Sequence, residues 1–551
     1  MKAFLSAPLA LRIGPPVLIA VACAALFALL LMRHPYDGFY GQDSYAYYYQ
    51  ARALWQEISG QAMPPDQLFS AQALRWPVGY LLHLALGIVL SGGPGGGRVI
   101  TLALTALTPA LIYLIITQLW SGASQVTRIA AGLIGSAILP LTGTYTRMGL
   151  SIMADVPALF WMVLAIFCCL KAWPPYLSSD LNVVSDNRGR LAWACGMGLA
   201  LGMAVLVRYG SILLLAPITA YLALLKWQRG SWRQLGGDAR KVGLAILGFA
   251  IALVPQLLYY VSPLSAAPPG AANYGAWLSS WNPSNIFASN FISPDGTASY
   301  PQSNIVFYLL QPFWPQDVDA GLLSLPSVPA LLLGVWALIA KRRWPVLGLL
   351  LTWWLVPVLF FSGSTYQAHR FVLVYLPALA ILIGTGAGVA LEWLLQSSRT
   401  LRRLSASALA AIVLLGVSID AYLGLLSVNR WILTHATFEA GEKRVAAVVM
   451  DSVEAAPATG LPHVVSFNIT AAVYHYTGWP MLDFYNHDEE DIAHFLAGDE
   501  PHVLVVPEKS MTTQWLGTPS GTRWEWIRRS YDIHLFGQVG EYSVYTIGGR
   551  R

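Results

Sequence analysis

The chain has 551 residues, 56% of them hydrophobic and 11% charged, with a mean hydropathy of +0.54. Soluble domains carry roughly 25% charged residues, so the composition excludes an ordinary soluble enzyme and predicts a multi-spanning membrane protein surrounded by membrane lipids. The formal charge of +5 is not a nucleic-acid signature: residues 1–427 hold 24 Lys+Arg against 13 Asp+Glu, and residues 428–551 hold 9 against 15. The basic excess therefore belongs to the membrane part, where it orients the spans, and no nucleic-acid partner is expected.

The first apolar run, about Arg12 to Met32, continues nine residues past Cys23 and is followed by no small-x-small cleavage site. It reads as an uncleaved helix rather than a signal peptide. All four cysteines (Cys23, Cys168, Cys169, Cys195) lie in apolar runs, which argues against a disulfide framework. Further runs long enough to cross a bilayer fall near 98–119, 128–146, 155–172, 242–262, 320–340, 345–361, 370–390 and 406–427. The stretch 191–225 is too long for one span, and Arg208-Tyr209-Gly210 divides it in two, so eleven crossings are expected. Tyr80 to Leu90 is apolar but short, and reads as a helix lying at, or dipping into, the outer face.

With the N-terminus cytoplasmic, the inner segments collect Lys226, Arg229, Arg233, Arg240 and Lys241, then Lys341, Arg342 and Arg343, then Arg399, Arg402 and Arg403. The opposite side carries no lysine until Lys443, a strong positive-inside pattern. Residues 1–427 are thus expected to form a membrane module in the cell inner membrane, and residues 428–551 an extracytoplasmic α/β domain. In that tail VAAVVM, HVVSF, HVLVVP, YDIHLF and EYSVYTI alternate with polar and helical stretches.

Two acids return to the same outer boundary: Asp43, in GQDSYAYYYQARALW, and Asp155, just before Val156-Pro157. Each can be read as a helix cap or as a functional carboxylate, since an acid near a span end is costly unless hydrated or paired. Arg147, Arg208 and the pair His369-Arg370 sit near the same boundary. Arginine without lysine there suits a phosphate, which guanidinium grips with two parallel hydrogen bonds; snorkelling to phospholipid headgroups is the alternative. Tyr45 and Trp281 join this set as aromatic contacts. Around Trp281 the aromatic loop with Asn273, Tyr274 and Trp277 either stacks on sugar or anchors at the interface.

Seven of the ten histidines lie beyond residue 428, and those around DEED, His487 and His494, match no standard metal spacing. Asp488 to Asp491 read as the acidic first turn of a helix. Asp420, toward the outer end of the last span, either pairs within the bundle or serves the site.

GQDSYAYYYQARALW, RWPVGYLLHLALG (Arg75 to Gly87), TRMGLSIMADVPALFW (Thr146 to Trp161) and HRFVLVYLPALAIL (His369 to Leu382), in that order, resemble the GT-C superfamily of polytopic glycosyltransferases. More narrowly, they resemble the bacterial relatives of protein O-mannosyltransferases and lipid A aminoarabinose transferases. The resemblance implies a polytopic α-helical GT-C fold and transfer of sugar from a polyprenyl-phosphate donor to a hydroxyl of a lipid-linked or cell-envelope glycan, at the extracytoplasmic face. It places the family's first-loop acid on Asp43, as general base, and its second acidic position on Asp155. Gln42 stands where many mannosyltransferases have a second acid, which leaves protein O-mannosylation open, and Ser280-Trp281-Asn282 does not match the oligosaccharyltransferase signature, so protein N-glycosylation is disfavoured. Such chemistry requires a base and cations to hold the leaving phosphate but no metal in principle; a divalent metal bridging Asp43 and Asp155 stays open. A transporter or flippase for a lipid-linked glycan, and a ligase or polymerase using a diphosphate-linked donor, are the rival classes.

Overall fold

The computed structural model describes residues 9–33, 37–39, 41–60, 77–91, 93–175, 187–229, 235–261, 280–293, 296–313, 327–396, 400–455 and 460–551. The protein is a polytopic α-helical membrane protein with a small C-terminal domain built on a mixed sheet. Among the described residues, eight helices are long and apolar enough to cross a membrane: Gly14–Arg33, Gly95–Leu119, Asp155–Ala172, Arg188–Val207, Tyr209–Arg229, Asp238–Val261, Trp344–Ser362 and Leu376–Gln396. A ninth arises if the bent pair Gln125–Leu141 and Gly143–Leu150 is one span.

Eight or nine of the eleven expected spans are thus recovered among the described residues, and the bent and remaining runs take these forms. The run 128–146 is not one rod: it bends by 62° at Thr142, just after Pro140. Proline removes an intrahelical donor and crowds the preceding turn, a standard cause of such a break. The run 320–340 is represented by Val328–Ala340, whose 13 residues extend only about 20 Å at 1.5 Å per residue. The run 406–427 belongs to a helix of 55 residues, Thr400–Glu454, that continues without interruption past residue 428. The span expected at 370–390 begins later, at Leu376, after a 3₁₀ turn over His369–Val374. Val78–Ser91, the segment read as dipping into the outer face, is a helix of 14 residues, about 21 Å, against a hydrocarbon core of about 30 Å.

The membrane helices approach closely where glycine allows. A Cβ on Gly386 would lie 1.9 Å from the Ala330 carbonyl oxygen, and one on Gly198 would lie 1.8 Å from that of Ala245. Apolar side chains gain little from leaving lipid, so such backbone approach is a main source of helix association in a bilayer.

The C-terminal sheet comprises β3 (His463–Ser466), β4 (Met481–Asp483), β5 (His502–Val506), β6 (Tyr531–Val539) and β7 (Tyr542–Arg550). Its order is β4-β3-β5-β7-β6, with β3 parallel to both β4 and β5, and β7 antiparallel to β5 and β6. A hairpin of β1 (Asn290–Ser293) and β2 (Gly296–Ser299) stands apart from it and reaches the domain through the Thr297 N–H, which donates to the Gln514 carbonyl at 3.0 Å. VAAVVM is helical rather than extended: Val445, Ala446 and Val449 are buried on one face of the end of the long helix. A short apolar run does not reveal its period, and here the preceding helix decides it. Met481–Asp483 supplies a strand in its stead.

Candidate active site

The segments that carry Asp43 and Asp155 are joined by one backbone bond. Ile152 donates its N–H to the carbonyl of Gly38 at 2.7 Å, joining the segment that enters the Gly41–Ile58 helix to the segment that enters Asp155–Ala172. Ser44 reinforces the join by donating to the Met153 sulfur at 3.7 Å. Gly38 has φ +99°, and a Cβ there would meet Arg98 and Ile152 at 3.0 and 3.2 Å, so glycine suits this position on both counts.

Neither acid is the cap that its position suggests. Asp43 is the third residue of its helix, and Asp155 is the first of its own, following Ala154, which makes no side-chain cap bond. Both side chains turn to arginines instead. Asp43 Oδ2 accepts from Arg370 Nη1 at 3.1 Å, and Asp155 Oδ1 accepts from Arg208 Nη1. Asp155 is the deeper of the two, with its side chain 4% exposed against 36% for Asp43. Its Oδ2 is buried with no hydrogen-bond partner among the described residues.

The arginines come from two interruptions. Arg208 has extended backbone between the Asn187–Val207 helix and the 3₁₀ turn Tyr209–Leu214, where the sequence predicts the split; Arg370 lies in the 3₁₀ turn before Leu376. Both guanidinium groups lie within reach of one ring, Phe371, at 5.3 and 5.9 Å. Arg370 also feels Asp155 electrostatically, so the two ion pairs form a single cluster.

Tyr47 completes it. The buried Tyr47 interacts electrostatically with Asp43, Arg208, Asp155 and Arg370, and its ring packs edge-on against Tyr80 at 4.9 Å. Burial and then Asp43 raise its hydroxyl pKa above the ordinary tyrosine value, with the arginines opposing. Sequence reasoning singled out Tyr45, but Tyr47 is the residue one helical turn from Asp43 and on its face.

The other predicted residues are distributed around this cluster. Arg147 is buried on the Gly143–Leu150 helix, where Nη2 donates to Thr144 Oγ1 at 3.3 Å. His369 is next to Arg370 but its Nδ1 pairs with the amide of Gln311, and its ring lies 5.3 Å from Phe307. Tyr45 points to the C-terminal side: its hydroxyl donates to Glu442 Oε2 at 2.7 Å and its ring stacks on Phe39 at 4.1 Å. Trp281 donates from Nε1 to the Phe360 carbonyl at 2.7 Å, at the end of the Trp344–Ser362 helix. Asn273, Tyr274, Trp277 and the side chain of Asp420 lie outside the described residues.

Each carboxylate faces a guanidinium, so a divalent ion bridging Asp43 and Asp155 would meet the positive groups of Arg370 and Arg208. Two carboxylates already neutralised by arginines do not fit a bridging cation.

The fold and the sequence both have relatives. Residues 96–262 match the model of the dolichyl-phosphate-mannose-protein mannosyltransferase family. The chain is 26% identical over 291 residues to an undecaprenyl phosphate-alpha-4-amino-4-deoxy-L-arabinose arabinosyl transferase 2 of Proteus mirabilis, covering 52% of this chain and 44% of that protein. It is 28% identical over 309 residues to the corresponding transferase of Pseudomonas aeruginosa, covering 56% and 49%. The chain thus aligns with just under half the length of these curated relatives. In structure it resembles ArnT from Cupriavidus metallidurans bound to undecaprenyl phosphate, with a TM-score of 0.58, 16% identity and 98% of each chain covered. It also resembles the oligosaccharyltransferase of Archaeoglobus fulgidus, with a TM-score of 0.50, 13% identity, and 96% and 74% covered. The chain is a polytopic membrane protein of the GT-C fold, related to the aminoarabinose transferases and, over residues 96–262, to the dolichyl-phosphate-mannose-protein mannosyltransferases.

Proposed function

We propose that the protein is a membrane glycosyltransferase that moves a sugar from a polyprenyl-phosphate donor to a hydroxyl of a lipid-linked or cell-envelope glycan. The observation that carries this reading is the coupled pair of ion pairs, Asp43–Arg370 and Asp155–Arg208, on a fold shared with proteins that use such donors. The structural relative from Cupriavidus metallidurans, which binds undecaprenyl phosphate, supports the donor side of the reading. We read residues 1–427 as the catalytic module in the cell inner membrane and residues 428–551 as its extracytoplasmic domain, with the site at the outer boundary.

The chemistry follows from the charges. Arg370 belongs to the more accessible of the two ion pairs, so a donor phosphate competes with Asp43 for its guanidinium. Once Arg370 turns to phosphate, Asp43 is left as a carboxylate beside the reacting centre. The acceptor oxygen attacks the anomeric carbon, its proton passes to Asp43, and the bond from that carbon to the phosphate oxygen breaks with its electron pair on the polyprenyl phosphate. The leaving group is already a stable anion, so cations suffice to receive it. Asp155 is too buried to meet substrate first; its role is to hold Arg208 against Phe371 and to fix the second positive group of the cluster.

Asp43→Asn tests the assignment, because it preserves size and helix position but cannot accept a proton. With a polyprenyl-phosphate sugar supplied, turnover is expected to fall by about 10² to 10⁴-fold while the folded protein and donor binding persist. Transfer at the wild-type rate removes Asp43 from the reaction.

A further inference from the structure

A second polar cluster lies in the C-terminal domain, at the end of the sheet opposite to the one that approaches the membrane helices. Strands β3 and β5 run parallel with His463 in register with His502, so both strands begin on a histidine at one edge. The two rings are 5.7 Å apart and nearly perpendicular. Glu500, in the turn leading into β5, joins them: one ligand atom from each of His463, Glu500 and His502 lies within 4.8 Å of the other two.

Three observations point to a ligand. First, His463 Nδ1 is 2.9 Å from the Phe495 carbonyl, which can only accept, so the proton sits on Nδ1 and the lone pair on Nε2. A backbone carbonyl behind an imidazole in this way is the usual orienting contact of a metal-binding histidine. Stacking on the Phe495 ring at 4.5 Å fixes the same orientation. Second, His502 Nε2 and Glu500 Oε2 are both buried and have no hydrogen-bond partner among the described residues. Native proteins rarely leave such atoms unpaired, and here two of them belong to one cluster. Third, Glu500 is enclosed by two glycines. A Cβ on Gly498 would lie 1.7 Å from its Oε2, and one on Gly460, at φ +125°, would lie 3.1 Å from its Cγ.

We propose that His463, Glu500 and His502 form a binding site for a divalent transition metal, Zn²⁺ by the chemistry of its donors. Two imidazoles and a carboxylate suit zinc, whereas calcium and magnesium take all-oxygen sets. In tetrahedral geometry, ligand distances of about 2.0 to 2.2 Å hold any two donors about 3.3 to 3.6 Å apart. From separations within 4.8 Å, the cluster closes around an ion when side-chain rotations draw its donors together by up to about 1.5 Å. The ion ties three pieces of chain together: the end of the Glu489–Phe495 helix through His463, the 497–501 turn through Glu500, and the first residue of β5. Strand β3 then leads from this clamp toward Ala471, whose N–H donates to Gln42 Oε1 at 2.9 Å beside Asp43. The site is a structural one for the domain that docks on the Gly41–Ile58 helix, and it is separate from the Asp43–Asp155 cluster.

The test uses the full chain in detergent, freed of any histidine tag and stripped with chelator, with Zn²⁺ alone as the probe. Equilibrium dialysis followed by elemental analysis is expected to find one zinc per chain, bound at micromolar concentration or below, and Zn²⁺ is expected to raise the melting temperature of the wild type. His502→Ala and Glu500→Gln are each expected to weaken binding by at least about tenfold and to cancel most of that rise. Glu500→Gln keeps shape and volume, so it reads the site even if His502→Ala folds poorly. Co²⁺ in place of zinc is expected to show the visible absorption of a low-coordinate nitrogen and oxygen site in the wild type. Absence of stoichiometric zinc in the wild type, or wild-type affinity in folded Glu500→Gln, overturns the proposal.

Discussion

Asp43 and Arg370 are 327 residues apart in sequence, yet Oδ2 of one lies 3.1 Å from Nη1 of the other, between the first turn of the Gly41–Ile58 helix and the turn before the Leu376–Gln396 span. The pair is competent for exchange: both side chains are a quarter or more exposed, and neither is committed to a helix cap. The deeper pair, Asp155 with Arg208, is not exchangeable in the same way. Removing one partner of a buried pair leaves an uncompensated charge, so Asp155→Asn is expected to lower thermal stability measurably, and Asp43→Asn much less. Melting curves of the two variants in the same detergent compare them; a larger loss for Asp43→Asn contradicts the division of roles.

Gly38 offers a test of how the acids are aligned. Gly38→Ala forces a side chain into φ +99° and into contact with Arg98 and Ile152, at a cost of about 1 to 3 kcal/mol. The strained bond is the one from the Ile152 N–H, so the expected result is a lower turnover with Asp43 and Asp155 both intact. Unchanged turnover shows that the bond does not position the site.

Gly79→Ala tests the packing behind Arg208. A Cβ at Gly79 would lie 2.6 Å from the backbone of Leu206, two residues before Arg208, and backbone cannot yield as the far end of a flexible side chain does. The Val78–Ser91 helix must shift, and the expected outcome is loss of both stability and transfer, by at least about 2 kcal/mol in the melt. A neutral substitution would mean that this helix is free to move.

Tyr45 joins the Gly41–Ile58 helix to the long Thr400–Glu454 helix through Glu442, and both residues are buried. Tyr45→Phe removes the donor and leaves the carboxylate short of one partner, at a cost of about 1 to 3 kcal/mol. Faster proteolysis of the C-terminal domain is expected, with donor binding little changed. Wild-type resistance to protease rejects a docking role for this bond.

His475 makes the same interface sensitive to pH. Burial lowers its pKa below the ordinary 6.5, and Lys443 lowers it further while Asp37 opposes. It is surrounded by Phe39, Tyr45, Tyr48 and Tyr49 from the Gly41–Ile58 helix and its approach, and by Tyr476, with the Tyr49 hydroxyl 2.8 Å from Nδ1. The unfolded chain therefore binds a proton that the folded one resists. Stability is full above about pH 6.5 and falls as the pH drops below it toward the lowered folded value. Melting temperature measured from about pH 7.5 to about pH 5 is expected to decline less steeply in His475→Gln; an identical slope excludes this residue as the cause.

The class of protein, the apolar runs and the break at Arg208 are legible in the sequence because run length and charge asymmetry act locally. Asp43, Asp155, Arg208 and Arg370 are legible for the same reason: each is a costly charge at a span end. Their partners are not. Whether Asp43 caps its helix or meets an arginine depends on where the 3₁₀ turn at His369 sits, which is a property of helix packing. The bend at Thr142 follows a proline that the sequence displays, yet an apolar run with one proline also occurs in unbroken spans. Tyr47 stands one turn from Asp43 and could have been found by that spacing. The facing histidines of the zinc proposal begin two segments, HVVSF and HVLVVP, whose similarity is visible, but parallel register alone brings them together.

In the proposed reaction Arg370 holds the phosphate of a polyprenyl-linked donor while Asp43 takes the acceptor proton. Mass spectrometry of lipid bound to purified wild type, Asp43→Asn, Arg370→Lys and Arg370→Ala, each incubated with a polyprenyl-phosphate sugar, separates the two roles. The expected result is retention of intact donor by Asp43→Asn and loss of it by at least about tenfold in both Arg370 variants, because a lysine point charge does not reproduce the two-pronged guanidinium contact. Donor bound equally by wild type and Arg370→Ala, or no polyprenyl-phosphate sugar bound by the wild type, contradicts this assignment.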